Sequence, residues 1–266
     1  MSRNDFTLTV LGSRGSMAHA DPTLSLFGGD SSCYLVRAGE ESVFLDAGSG
    51  LLHAPSRYPR TPVILLSHLH LDHLIGLGMF PGLMVRGQGL RILVPFCPDR
   101  EAAERSLDRV YAPPFWPIRL TQGECGVELL PLPERFEVGE LSIESMVGNH
   151  PGGGMLFKLS YRGRSLVYAT DYEHEPRTFE ALAEFAQGAE LLLYDAQYTE
   201  SEYPAFRGFG HSTAEKGLEL FARCGAGQML LVHHASGCTD ERLLAREKLL
   251  PPRVSYARQG QIIPIG

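Results

Sequence analysis

Three imidazoles and a carboxylate fall within six positions in His68-Leu69-His70-Leu71-Asp72-His73. They follow the apolar run Val63-Ile64-Leu65-Leu66 and precede Leu74-Ile75-Gly76-Leu77. So many polar groups at the end of a buried strand are costly to fold unless something binds them. Alternation at an extended strand end points His68 and His70 the same way. The turn after Leu71 brings Asp72 and His73 round to a neighbouring direction, near the start of a helix. Two pairs of N/O donors then point into one cavity, a set that suits Zn, Mn or Fe. A polar loop with hydrogen-bonded histidines would explain a lone His better than it explains this cluster.

The elements that must position these groups follow from periodicity and breakers. Phe6 to Leu11 alternates like a half-buried strand and runs into Gly12-Ser13-Arg14-Gly15-Ser16. Ser32 to Val36 and Ser42 to Asp46 form a hairpin across Ala38-Gly39-Glu40-Glu41. Pro62 to Leu66 is the strand that delivers the histidine cluster. Arg91 to Pro95 is a further strand and Arg100 to Tyr111 a helix, stopped by Pro113-Pro114 because proline removes a donor and clashes with the preceding turn. Val127 to Tyr161 is strand-like with Gly-rich breaks, and Ser165 to Thr170 adds a strand. Helices over Arg177 to Gln187, Thr213 to Cys224 and Asp240 to Leu249 then interleave with strands over Leu191 to Tyr194 and Gln228 to Val232. With no linker or repeat, two sheets flanked by helices and folded as one domain over residues 1–266 is the expected α/β (α+β) architecture.

Composition narrows the function classes. Hydrophobic residues make up 44% and charged residues 21% of the 266, an ordinary globular balance with ample core material. A net charge of −7 and the lack of any Lys/Arg run argue against a general nucleic-acid binder. Cys33, Cys97, Cys125, Cys224 and Cys238 form no Cys-X-X-Cys pair, so they read as thiols in a reducing compartment. The opening Met1-Ser2-Arg3-Asn4-Asp5 has no signal-type apolar stretch, and no run is long enough to span a bilayer. A cytoplasmic location is expected.

His68-Leu69-His70-Leu71-Asp72-His73 after an apolar strand resembles the signature of the metallo-β-lactamase fold superfamily. Four further segments match that family's motifs in order: Asp46-Ala47-Gly48-Ser49-Gly50, Gly148-Asn149-His150-Pro151, Tyr168-Ala169-Thr170-Asp171, and Leu231-Val232-His233-His234. The resemblance implies an αββα sandwich with two divalent ions, zinc before manganese or iron. His68, His70 and His150 would hold one ion, Asp72, His73 and His233 the other, and Asp171 would bridge. Asp46 would support the ligands from behind, and His234 would be a supporting or substrate-facing residue. Ser13 and Arg14 in the Gly-rich start, and Gly210-His211-Ser212-Thr213 opening a helix, resemble substrate-side segments of the phosphodiesterase and tRNA 3′-endonuclease branch. The sequence Tyr194-Asp195-Ala196-Gln197-Tyr198-Thr199 belongs to the same pattern. Phe115-Trp116 and Tyr172 are candidates for the pocket mouth, with a core role as the plainer reading.

On that resemblance the expected activity is hydrolysis of a small or cyclic nucleotide-type phosphodiester by a metal-bridging hydroxide, with Asp72 and His211 as catalytic residues. A carboxylate at Asp171, where exported two-zinc lactamases often carry Cys, turns the expectation away from β-lactams. A lactonase or thioesterase is the rival enzyme. A tRNA endonuclease is disfavoured by the lack of Lys or a Gly-rich arm between Asp171 and His211, and a redox-active sensor module is the non-catalytic alternative. The expected partner is a small-molecule substrate, neither membrane nor nucleic acid, and a homodimer is compatible with all of this.

Overall fold

The structure, a computed structural model, describes residues 5–266. Met1 to Asn4, part of the segment expected to lack an export signal, lie outside them. The chain opens with β1 (Phe6–Gly12), whose residues alternate between buried and half-buried, and continues into the hairpin of β2 (Cys33–Ala38) and β3 (Glu41–Leu45). β4 (Val63–Leu65), β5 (Leu90–Val94), α1 (Arg100–Asp108) and β6 (Val127–Pro131) follow. The strand-rich middle resolves into β7 (Arg135–Val138), β8 (Leu141–Gly148), β9 (Gly154–Tyr161) and β10 (Arg164–Ala169). Then come α2 (Pro176–Phe185), β11 (Leu191–Asp195), α3 (Tyr203–Phe206), α4 (Ala214–Cys224), β12 (Gln228–Val232), α5 (Asp240–Glu247), β13 (Val254–Tyr256) and β14 (Ile262–Pro264).

The strands form two seven-stranded mixed sheets, ordered β14-β1-β2-β3-β4-β5-β6 and β13-β12-β11-β10-β9-β8-β7. β3 to β6 run parallel in the first sheet, and β10 to β13 run parallel in the second. Parallel strands covered on both faces need continuous apolar sequence, which is why Val63-Ile64-Leu65 and Leu191-Leu192-Leu193 are buried throughout. The inner faces meet in a core built from Val10, Tyr34, Leu45 and Leu65 of one sheet against Phe157, Tyr168, Leu193 and Val232 of the other. Outside the first sheet, α1 lies against β6 and adds Ala103 and Leu107 to a second core cluster that includes Ile64, Ile92 and Leu129. Outside the second, α2, α4 and α5 contribute Leu182, Leu220 and Leu243. This is the expected four-layer sandwich.

Two local expectations are corrected, and two strands are added. The segment after the histidine cluster is a single 3₁₀ turn, Leu71–His73, rather than the start of an α-helix. The first helix ends at Asp108 rather than Tyr111, whose hydroxyl instead donates to the Leu74 carbonyl at 2.6 Å. The strands β13 and β14, three residues each, are too short for periodicity to reveal. No helix of the described residues is long and apolar enough to cross a membrane.

Candidate metal centre

Parallel strands bring their carboxyl ends to one edge, and open α/β sheets place their sites there. At that edge β3 is followed by Asp46, β10 by Thr170 and Asp171, and β12 by His233, while β4 leads through Leu66 and Ser67 to His68. Asp46, Asp171 and His233 all have positive φ, at 60°, 53° and 59°. That left-handed backbone is uncommon for residues with a Cβ and gathers where function demands a sharp turn of the chain. It turns three side chains from the strand ends toward a common centre.

Three groups of donors converge there, one of them Asp171, Asp195, His211 and His233. His68, His70 and His150 have ligand-type atoms within 4.8 Å of one another, and so do Asp72, His73, Asp171 and His233. His150 Nε2 lies 3.2 Å from His70 Nδ1. Asp171 reaches both sets: Oδ2 is 3.6 Å from His68 Nε2 and 3.9 Å from His150 Nε2. Its Oδ1 is 3.3 Å from His73 Nε2 and 3.2 Å from His233 Nε2. Asp72 Oδ2 is 3.2 Å from His73 Nε2 and 3.3 Å from His233 Nε2. The buried atoms His68 Nε2 and His73 Nε2 find no hydrogen-bond partner. Buried polar atoms are rarely left so, and here both face the donor cluster. The residues present therefore fit divalent ions of the nitrogen- and oxygen-loving kind.

The supporting contacts set the direction of each ring. Asp46 accepts from the Ser67 amide (2.7 Å) and hydroxyl (2.8 Å), the Tyr168 hydroxyl (2.8 Å) and His73 Nδ1 (2.7 Å). With Nδ1 committed to a buried carboxylate, His73 is left with Nε2 for the cluster, the usual arrangement behind a ligating imidazole. His150 Nδ1 donates to the Gly210 carbonyl at 2.9 Å, which frees its Nε2 in the same way. Burial pushes His68, His70 and His150 below the ordinary imidazole range, so they are neutral and offer lone pairs. Burial would raise Asp72 and Asp171, but neighbouring imidazoles outweigh it and hold both carboxyls well below their usual range. Burial likewise disfavours charge on His73, yet Asp171, Asp46 and Asp72 win and raise it. The second donor set thus calls for positive charge, which a proton or a cation can supply.

His211 stands beside this centre. Its ring stacks on His233 at 4.6 Å, and its Nδ1 donates to Asp195 Oδ2 at 2.8 Å and lies 3.9 Å from Asp171 Oδ2. Burial works against its charged form, but Asp195, then Asp171 and Asp72, raise it to about 9. The segment after it starts α4, whose N-cap Thr213 accepts from the Lys216 amide at 3.2 Å. Behind it, Glu173 accepts from the Tyr203 hydroxyl and the Gly208 and Gly210 amides at 2.7, 2.7 and 2.9 Å, fixing the loop that presents His211.

The structure thus brings His68, His70, Asp72, His73, His150, Asp171, His233, His211 and Asp46 together. Arg14, Ser13 and His234, expected as supporting or substrate-facing residues, make their hydrogen bonds to backbone carbonyls away from these donors. Arg14 is fully buried, its guanidinium donating to the carbonyls of Gly28 (2.7 Å), Ala235 (3.2 Å) and Cys238 (2.6 Å). Ser13 and His234 both turn to the Ala257 carbonyl, at 3.5 and 2.9 Å. The Gly-rich start acts through its backbone: Ser16 donates its amide to Asp72 Oδ2 at 2.8 Å. Gly15 lies so close to His233 that a Cβ there would stand 2.3 Å from Nδ1. Tyr172 is core, bonded to Thr178 and packed on Tyr194. Trp116 lines a separate cavity of about 690 Å³ with Met79, Leu83 and Ile118. Glu173 was not singled out from the sequence, and Asp195 and Ser16 were quoted there only within longer segments, without a role of their own. Asp195 carried a further signal, an acid closing the apolar strand β11.

Fold and site together define a metallo-β-lactamase-type chain. Residues 41–234 match the family described as Beta-lactamase superfamily domain, and the chain belongs to that family. Among its relatives, Ribonuclease Z of Bradyrhizobium diazoefficiens is 24% identical, with 95% of this chain and 97% of the relative covered. Ribonuclease Z of Ignicoccus hospitalis is 26% identical, over 81% of this chain and 85% of the relative. The fold matches the metallo-beta-lactamase fold protein YhfI from Bacillus subtilis at a TM-score of 0.75, with 18% identity and 99% and 100% of the two chains covered. It also matches a diphosphatase from the PhnP family at 0.69, with 19% identity over 97% of this chain and 96% of that one.

Proposed function

We propose that the chain is a dinuclear metal-dependent hydrolase of phosphodiesters. His68, His70 and His150 form one ligand set, Asp72, His73 and His233 the other, and Asp171 is shared. The observation that carries this reading is the division of Asp171, whose Oδ2 faces one set and Oδ1 the other. Zinc is the expected occupant, with manganese and iron acceptable to the same donors. When bound, such ions supply Lewis acidity and lower the pKa of water to near 7.

The chain's own groups do the rest. Asp46 and the Gly210 carbonyl hold His73 and His150 with Nε2 inward. His211, charged at neutral pH and anchored through Nδ1 to Asp195, keeps Nε2 for the substrate. There it holds a phosphoryl oxygen and delivers a proton to the leaving alkoxide, as a positioned acid does. Relatives named for ribonuclease and diphosphatase activity support phosphoryl chemistry over lactone or thioester cleavage.

The test is a panel of phosphodiesters, lactones and thioesters offered to protein reconstituted separately with Zn, Mn and Fe. Bis(p-nitrophenyl) phosphate should turn over, and His70→Ala should abolish metal uptake and turnover together. Turnover confined to lactones or thioesters would overturn the reading. The Ribonuclease Z relatives give a tRNA endonuclease as the second reading. Against it, residues between Asp171 and His211 contain no Lys and are occupied by α2, β11 and α3. A pre-tRNA gel shift that weakens steeply with salt would favour it.

A further inference from the structure

Three aromatic rings climb from His211 to the surface. The Tyr198 ring lies 6.0 Å from the His211 ring, and Phe206 stacks on Tyr198 at 4.6 Å with an interplanar angle of 5°. Phe209 meets Phe206 edge-on at 5.9 Å. Exposure rises along the series, from 9% at Tyr198 through 39% at Phe206 to 62% at Phe209. Phe209 immediately precedes Gly210, whose carbonyl orients His150 and whose amide is held by Glu173. The backbone next to the outermost ring is therefore tied to the site. On the other side of the His150 loop, Phe96 is 56% exposed and held at φ 57°, a backbone region that bulky residues rarely adopt. Its ring covers Gly153, where an added Cβ would come within 2.9 Å.

Two large exposed rings near the donor cluster present apolar surface of the kind that a ligand site uses. The surrounding charge describes that ligand. The segment carrying the rings holds Glu200 and Glu202 and a single cation, Arg207, which sits over the Tyr203 ring at 5.7 Å. A long polyanion would meet like charge here, whereas a flat neutral ring would meet π faces.

We infer that Phe209, backed by Phe206 and Tyr198, is a stacking subsite for a nucleobase-like ring carried by the substrate. The inference rests on the hydrolase reading and narrows its substrate to mononucleotide-type phosphodiesters that bear a base. Stacking suits this because every base has a π face, and one stacked base contributes between about fivefold and a hundredfold in affinity.

Binding, rather than turnover, tests it. Equilibrium dialysis of the zinc-loaded full chain compares AMP with ribose 5-phosphate, which share the phosphate and differ in the base. AMP should bind at least about fivefold tighter. Phe209→Leu, which keeps bulk without a π face, should bring the ratio of the two affinities toward one, and Phe209→Trp should keep it. Equal affinities in the unaltered protein, or a base preference that survives Phe209→Leu, would overturn the subsite. The hydrolase reading fails separately, by absence of diester turnover while the base preference persists.

Discussion

Asp171 and His233 leave their strands through left-handed backbone at 53° and 59°, and the side chains so turned meet within 3.2 Å. Holding non-glycine residues there costs on the order of 1–3 kcal/mol each, so the surrounding contacts must over-determine them. His211 is different, because it touches the centre by stacking and not as part of either proposed ligand set. His211→Ala should therefore leave metal content unchanged, read by elemental analysis, while kcat falls roughly 10²–10⁴-fold. Asp195→Asn removes the charge that chiefly raises the His211 imidazole. With that pKa lowered, the proton is lost at lower pH, so the alkaline limb of the pH–rate profile should move down. An unmoved limb would take His211 out of the acid role. The cluster His68 to His73 was legible because spacing alone makes it improbable as packing. The His233–His234 doublet was not, since only the chain's path decides that His233 turns inward and His234 meets the Ala257 carbonyl. The surroundings of Arg14 were hidden for a similar reason: its carbonyl partners lie 14, 221 and 224 residues away.

Elements were legible in proportion to their length and burial. β4, β11 and α4 announce themselves through apolar runs and helical spacing, whereas β13 and β14 exist only because β12 and β1 offer edges to pair with. α4 also shows what periodicity cannot say. Gly217 sits on its inner face, and a Cβ there would stand 2.8 Å from the Tyr194 ring and 3.4 Å from Leu231. An alanine would gain about 1 kcal/mol of helix propensity, but overpacking costs about 1–3 kcal/mol. Overpacking should win, because the obstruction is a buried ring whose hydroxyl is bonded to Ser212 at 2.9 Å, next to His211. Gly217→Ala should lower Tm in a calorimetric scan, and a raised Tm would mean that the ring gives way freely.

At the scale of the whole molecule, Asp30 joins distant segments, accepting from Ser49 and Gln259 and pairing with His53, each at 2.7 Å. Burial favours its protonated form, but these hydrogen bonds outweigh it and lower its pKa. A group depressed on folding stabilises fully above its unfolded value near 3.9, and that contribution fades as pH falls through the folded value. Urea midpoints should thus drop below about pH 4, and Asp30→Asn should flatten that limb. Chelation reaches further. An ion at a hundred times its Kd adds about 2.7 kcal/mol of stability, so stripping it should lower Tm and restoring zinc should recover it. The donors come from both halves of the sandwich: His68, His70, Asp72 and His73 follow a strand of the first sheet, while His150, Asp171 and His233 follow strands of the second. Any ion gripped by both is a clasp between the two halves of the body as much as a reagent. A chain without metal should lack that clasp, and limited proteolysis with and without zinc should cut it faster in the metal-free state.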